Sequence, residues 1–182
     1  MKDIEGVVLR GQDEVVGRVL ALYTVVGKAV AGPAIGDVLL ERFGAEHFLT
    51  PVESSFMAVQ EPAPESVPYF SWRYECLHVL LWALRIIDHV GQPSGICDVA
   101  RIDHTMLELG AEGLRKQAVL RPPSEIVPVL NRVFRAHWAV RDAQIFRKPS
   151  PGGIDAEVVY EWHYALNWLA GEVDWDFVQT DT

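Results

Sequence analysis

The stretch Tyr69–Ile87, YFSWRYECLHVLLWALRII, decides the fold. It holds no Gly or Pro, and Phe70, Tyr74, Leu77, Leu81, Leu84 and Ile87 recur at three- and four-residue steps, the repeat of one helical face. Trp72, Val79, Trp82 and Ile86 fill the other sides. A helix apolar nearly all round belongs inside a domain or a membrane. Arg73, Glu75, His78 and Arg85 interrupt this one too often for a bilayer span. The pattern therefore predicts a buried central helix over residues 69–87, with the rest of the chain arranged to cover it.

The flanks supply the cover. From Asp13 to Ala31, the residues Val15, Val16, Val19, Leu20, Leu22, Tyr23, Val26 and Val30 predict an amphipathic helix with Asp13 as N-cap, ended by Gly32-Pro33. A short helix over Ile35–Phe43 closes at Gly44. Thr50-Pro51-Val52-Glu53 spells a capping box, so a brief helix runs on to Val59. Pro62, Pro64 and Pro68 mark a loop into the central helix, and HVGQPSGICD after Asp88 marks another. Two short helices split at Gly110, over Arg101–Leu109 and Ala111–Gln117, come next. Ser124 is expected to cap a long helix to about Phe146, and Asp155 a last one to about Gly171. No strand-like alternation competes anywhere, so the expected fold is all-α.

A chain of 182 residues with 49% hydrophobic side chains suits one well-buried domain, 1–182, with residues 1–12 a flexible start and 172–182 a tail docked through Asp174, Trp175 and Asp176. No secretory leader is evident at MKDIEGVVLRGQ, which points to the cytoplasm, and Cys76 and Cys97 are read as reduced thiols. A net charge of −9 argues against nucleic acid, which needs clustered cations. The charge is uneven. Residues 115–148 hold eight Lys or Arg against two acids, whereas residues 149–182 hold seven acids and no Lys or Arg. Such neighbours either pack together or form two separate solvated faces.

Several segments carry a family pattern: His137-Trp138-Ala139-Val140-Arg141-Asp142-Ala143, Val158-Val159-Tyr160-Glu161, His163-Tyr164-Ala165-Leu166-Asn167-Trp168-Leu169, Asp174-Trp175-Asp176 and Thr180-Asp181-Thr182. Trp72-Arg73, Glu75 and Val79-Leu80-Leu81-Trp82-Ala83-Leu84 extend it. Together they resemble the domain of unknown function 4272 family over roughly Val15 to Thr182. The resemblance implies a bacterial, mostly helical domain and no particular activity. Two positions depart from the family pattern: Trp162, where a basic residue is usual, and His78, where a small or apolar one is.

The chemistry-bearing residues form one candidate cluster. His137 and Arg141 lie one helical turn apart, and His163 and Asn167 repeat that spacing on the last helix. If these faces meet, Glu75, His137, Arg141, Asp142, Glu161, His163 and Asn167 form either an ion-pair network that fixes helix docking or a small anion or metal pocket. Metal is not expected. Glu75-x-x-His78 occurs once where a di-iron bundle needs it twice, and His-Glu-x-x-His and Cys-x-x-Cys are absent. There is no Gly-x-Ser-x-Gly elbow, and Gly27-Lys28 lacks the rest of a phosphate loop, so no cofactor is expected. Of Trp138, Trp162, Trp168 and Trp175, three are expected in the core.

These readings favour a non-catalytic helical domain acting through protein contacts, with itself or with another protein. An acidic immunity-like protein that neutralises a basic partner is the specific form. The alternative is a small enzyme or ligand-binding protein using Arg141, Asp142, Glu161 and His163 for acid and base work.

Overall fold

The computed structural model describes residues 6–149 and 151–181. Among them every regular element is helical: α1 Gln12–Ala31, α2 Pro33–Phe43, α3 Pro51–Ala58, α4 Ser66–Ser71, α5 Arg73–Ala83, α6 Val99–Gln117, α7 Pro123–Ile145 and α8 Ala156–Leu169. Single 3-10 turns lie at Glu46–Phe48 and Trp175–Phe177. No described helix is long and apolar enough to cross a membrane.

The start and stop chemistry is local. The Thr50 hydroxyl accepts from Glu53 N, and the Glu53 carboxylate accepts from Thr50 N at 3.0 Å, so both halves of the capping box form. Asp155 accepts from the backbone N–H groups of Glu157 and Val158 to open α8. Gly44 takes the left-handed conformation that ends α2. Gly110, at φ 60°, kinks α6 at the expected split without ending it. Two expected caps are not used. The backbone already turns helical after Gly11, so Asp13 falls in the first turn of α1. Pro122 precedes α7, and Pro123 stands where its missing N–H costs nothing, which leaves Ser124 inside that turn.

The central helix is shorter than the pattern predicts. It breaks at Trp72, between α4 and α5, and α5 stops at Ala83. There the backbone carbonyls of Ala83 and Leu84 accept from Arg121 N and Val119 N, which holds the incoming chain against the helix end, and Arg85 turns left-handed at φ 58°. The α5 segment itself is buried from Arg73 to Leu77 and from Val79 to Ala83.

A second buried helix was not foreseen. Every residue of α1 from Val15 to Ala29 is buried, including Arg18, Thr24 and Lys28, so α1 is enclosed rather than amphipathic. It packs against α2, α4 and α5. Its approach to α2 depends on two glycines. A Cβ on Gly36 would lie 2.5 Å from Lys28 Cβ, and one on Gly27 would lie 2.2 Å from Leu39 Cδ1. On the other side α5 packs on α8, and α8 on α7. Trp162, Trp168 and Trp175 are buried and Trp138 is 53% exposed.

Met1–Glu5 of the expected flexible start lie outside the described residues. Arg10, within that start, is fastened: its N–H donates to Leu169 O at 3.1 Å and its Nε to Trp168 O at 2.8 Å. Cys76 and Cys97 are both free thiols.

Candidate functional site

The seven residues expected to cluster are distributed over three separate networks and the surface. The first network is buried and centred on Arg73 at the start of α5. Its Nη1 donates to Glu161 Oε2 at 2.9 Å, and its Nη2 to the Tyr69 hydroxyl at 2.9 Å. The guanidinium also lies 4.2 Å from the centre of the Tyr164 ring. The Cys76 thiol lies 3.0 Å from the same Glu161 oxygen. Burial, followed by the charge of Glu161, pushes that thiol well above its ordinary pKa. It is a packed, protonated group, not a nucleophile.

The second network holds Glu75, which is 1% exposed. Its two oxygens accept from Cys97 N at 2.7 Å and from the Trp162 indole N–H at 2.9 Å. Trp162 supplies a neutral donor to this carboxylate. His78 stacks on the Trp162 ring at 5.6 Å and bonds Val90 O, away from Glu75. The Glu75-x-x-His78 pair is therefore not a ligand pair. Among the described residues no three His, Cys, Asp or Glu side chains converge on a common point.

The third network joins His137, His163 and Asn167. The two Nδ1 atoms are 2.9 Å apart, and Asn167 Nδ2 lies 3.1 Å from His163 Nε2 and 3.0 Å from Gln179 O. Burial, then the charge of Arg141, lowers the pKa of His137; burial, then His137, lowers that of His163 to about 4. The spacing of these residues along α7 and α8 brings them together. Arg141 lies beside them at the rim of a cavity of about 300 Å³, shared with Tyr160, Thr180 and Asp181. Asp142 does not join them. It turns outward to Lys148 Nζ at 2.9 Å.

A larger cleft of about 530 Å³ lies where the tail crosses the start of α1. Phe48, Trp168, Trp175 and Phe177 give it aromatic walls, and Arg10, Asp13, Glu14, Arg18, Asp174 and Asp176 give it charge. Trp175 is held by Tyr164, whose hydroxyl donates to Trp175 O, and by edge contacts to Tyr164 and Trp168 at 5.0 and 5.4 Å. Asp176 accepts from Val52 N at 3.3 Å, at the N-terminus of α3. The cations on Trp175 are Arg18, 4.9 Å from the ring centre, and Arg73, 5.8 Å away. They come from α1 and α5, and not from the basic segment 115–148 on which the charge argument relied.

Both arginines of the cleft are engaged. Arg10 pairs with Glu14 and donates to Val173 O at 2.5 Å. Arg18 is paired with Glu53 in the interior, and its Nε is buried without a partner among the described residues. Asp13 and Asp174 face the cleft with no side-chain ion pair or hydrogen bond among the described residues. The sequence names Asp174, Trp175 and Asp176 as contacts of a docked tail but does not point to the rest of this cleft. Its walls come from positions 10–18, 48–51, 168 and 174–177, which only tertiary folding brings together.

A family model described as Domain of unknown function (DUF4272) matches residues 1–178. Neither a curated protein nor a solved structure matches the chain.

Proposed function

The chain belongs to the DUF4272 family, and from that premise we propose that it works by non-catalytic binding of a basic protein partner, whose exposed Lys or Arg side chains enter the cleft between α1 and the tail. The observation that carries the reading is the pairing of aromatic walls with two carboxylates, Asp13 and Asp174, that no side chain among the described residues engages. An ammonium or guanidinium group is attracted by ring faces and by carboxylates together, and both arginines already seated on Trp168 and Trp175 use the same chemistry. The net charge of −9 adds long-range attraction for such a partner. Phe177, 71% exposed at the cleft, offers apolar surface for the partner to cover.

The enzymatic alternative has less support. It needs Arg141, Asp142, Glu161 and His163 to act on one substrate. Glu161 is neutralised by Arg73 in the interior and Asp142 by Lys148 outside, so two of the four are committed elsewhere.

Titration with a hexaarginine peptide, followed by tryptophan fluorescence and calorimetry, tests the binding reading. The expected result is saturable binding that weakens with salt and falls about tenfold or more in the double variant Asp13→Asn/Asp174→Asn, since two charge-assisted contacts are removed. A hexaglutamate peptide should not bind. Equal binding by wild type and variant, or none by either, overturns the proposal. Binding that competes with self-association of the chain would identify the partner as a second copy, through its own basic segment.

A further inference from the structure

The cavity beside His137 is independent of the cleft. Its chemistry follows from one backbone carbonyl. Gln179 O can only accept, so the Asn167 side chain must turn its NH₂ toward it. The second hydrogen of that NH₂ then points to His163 Nε2, 3.1 Å away, which makes Nε2 an acceptor. A neutral His163 must in consequence carry its proton on Nδ1 and donate across 2.9 Å to His137 Nδ1. His137 in turn accepts at Nδ1 and keeps its own proton on Nε2. The tail thereby sets the tautomers of two histidines in series.

The outcome is a fixed N–H on His137, a residue that lines the cavity of about 300 Å³ together with Arg141, Tyr160, Thr180 and Asp181. Arg141 spends one N–H on Gln144 Oε1, at 3.2 Å, and no described carboxylate pairs with it. His137 and His163 are both buried, and both have lowered pKa values, so at neutral pH the pair stays uncharged and the donor arrangement persists. Reversing it to make His137 a base would turn the Asn167 carbonyl toward Gln179 O, setting two acceptors face to face.

We infer that this cavity binds a small zwitterion of the amino-acid class, its carboxylate taken by His137 Nε2–H and Arg141 and its ammonium group by Asp181. The donors alone would accept any oxyanion. Asp181 on the same cavity disfavours a dianion and favours a ligand that brings its own positive charge. Its one carboxylate, Asp181, is assigned to the ligand's ammonium group, and no metal-ligand group forms among the described residues, so the expected event is binding and not turnover.

Nitrogen NMR of the protein labelled with ¹⁵N-histidine tests the wiring and the ligand together. At pH 7 His137 should read as the Nε2–H tautomer and His163 as Nδ1–H. L-alanine should move the His137 Nε2 signal saturably. Acetate and methylammonium should each bind about tenfold more weakly, because each forfeits one charged contact. Arg141→Gln, at an exposed position, should weaken L-alanine and acetate alike by a similar factor, and Asp181→Asn should weaken L-alanine alone. Asn167→Asp should reverse both tautomers and abolish binding; should that variant not fold, the wild-type tautomers and the two rim variants decide. The inference is overturned by His137 as Nδ1–H, by no saturable shift with L-alanine, by inorganic phosphate binding more tightly than L-alanine, or by indifference to Arg141→Gln.

Discussion

Acid should unfold this protein earlier than its carboxylates alone require, because His163 resists protonation. Burial, followed by the neighbouring His137, lowers its pKa from 6.5 to about 4. The native contact explains why: two Nδ1 atoms 2.9 Å apart accommodate one proton between them, and a second proton forces them apart. In the unfolded chain both rings titrate normally. Between about pH 6.5 and pH 4 the unfolded state therefore binds more protons than the native state, so stability falls as pH falls through that window. For His163 alone, integrating from pH 7 to pH 4.5 gives a loss of about 2.5 kcal/mol, a large part of the stability of a typical domain. Urea denaturation at half-unit steps of pH would measure it, with His163→Gln as the reference that retains bulk and hydrogen bonding but does not titrate. The wild type should lose about 2 kcal/mol more than the variant over this range. Parallel curves, agreeing within about 0.5 kcal/mol, or a native His163 that titrates near its ordinary value by NMR, would refute the reasoning.

Three further outcomes are expected. Leu81→Ala, at a position with no exposure, should destabilise by about 2–5 kcal/mol in the same assay. Arg18→Met should cost about 3–5 kcal/mol because it strands the buried Glu53 carboxylate, while the double variant Arg18→Met/Glu53→Leu should recover most of that loss, as measured by a double-mutant cycle. Truncation after Gly171 removes Trp175, which is 5% exposed, and should lower the melting temperature by several degrees at both low and high salt; co-melting of the truncated and full-length chains would count against a structural role for the tail.

The all-α class and most helix boundaries were legible because their signals are local. Thr50 with Glu53, Gly44, Gly110 and Asp155 each act within a few residues of themselves. The enclosure of α1 was not legible. Arg18, Lys28 and the acids at its start give it the look of a helix with a wet face. Arg18 is neutralised by Glu53, 35 positions away, and the Lys28 ammonium donates to Met57 O and Val59 O at 2.8 and 2.6 Å. Those partners are invisible to a periodicity argument. The same limit applies to the candidate cluster. Helical spacing brought His137, His163 and Asn167 together, since α7 and α8 pack along their lengths. It could not tell that Glu161 and Glu75, on neighbouring buried faces, would be taken by Arg73 and Trp162, because those donors are 88 and 87 positions distant.

The enclosure of α1 also bears on how the chain is made. Helix α1 precedes α2 to α8 in the chain, yet it is covered by α2, α4, α5 and, through Arg18, by the Trp175 ring of the tail. Until residues near 175 are available, a segment as apolar as Val19–Val26 has only part of its final cover. Contacts that join the two ends of a sequence close slowly, and apolar surface left waiting for them is where chains associate wrongly. The last part of that cover, the Trp175 ring over Arg18, is accordingly expected to close after the α1, α2, α4 and α5 contacts. A stalled or prematurely terminated chain would present α1 to the chaperone and degradation machinery as an open hydrophobic segment.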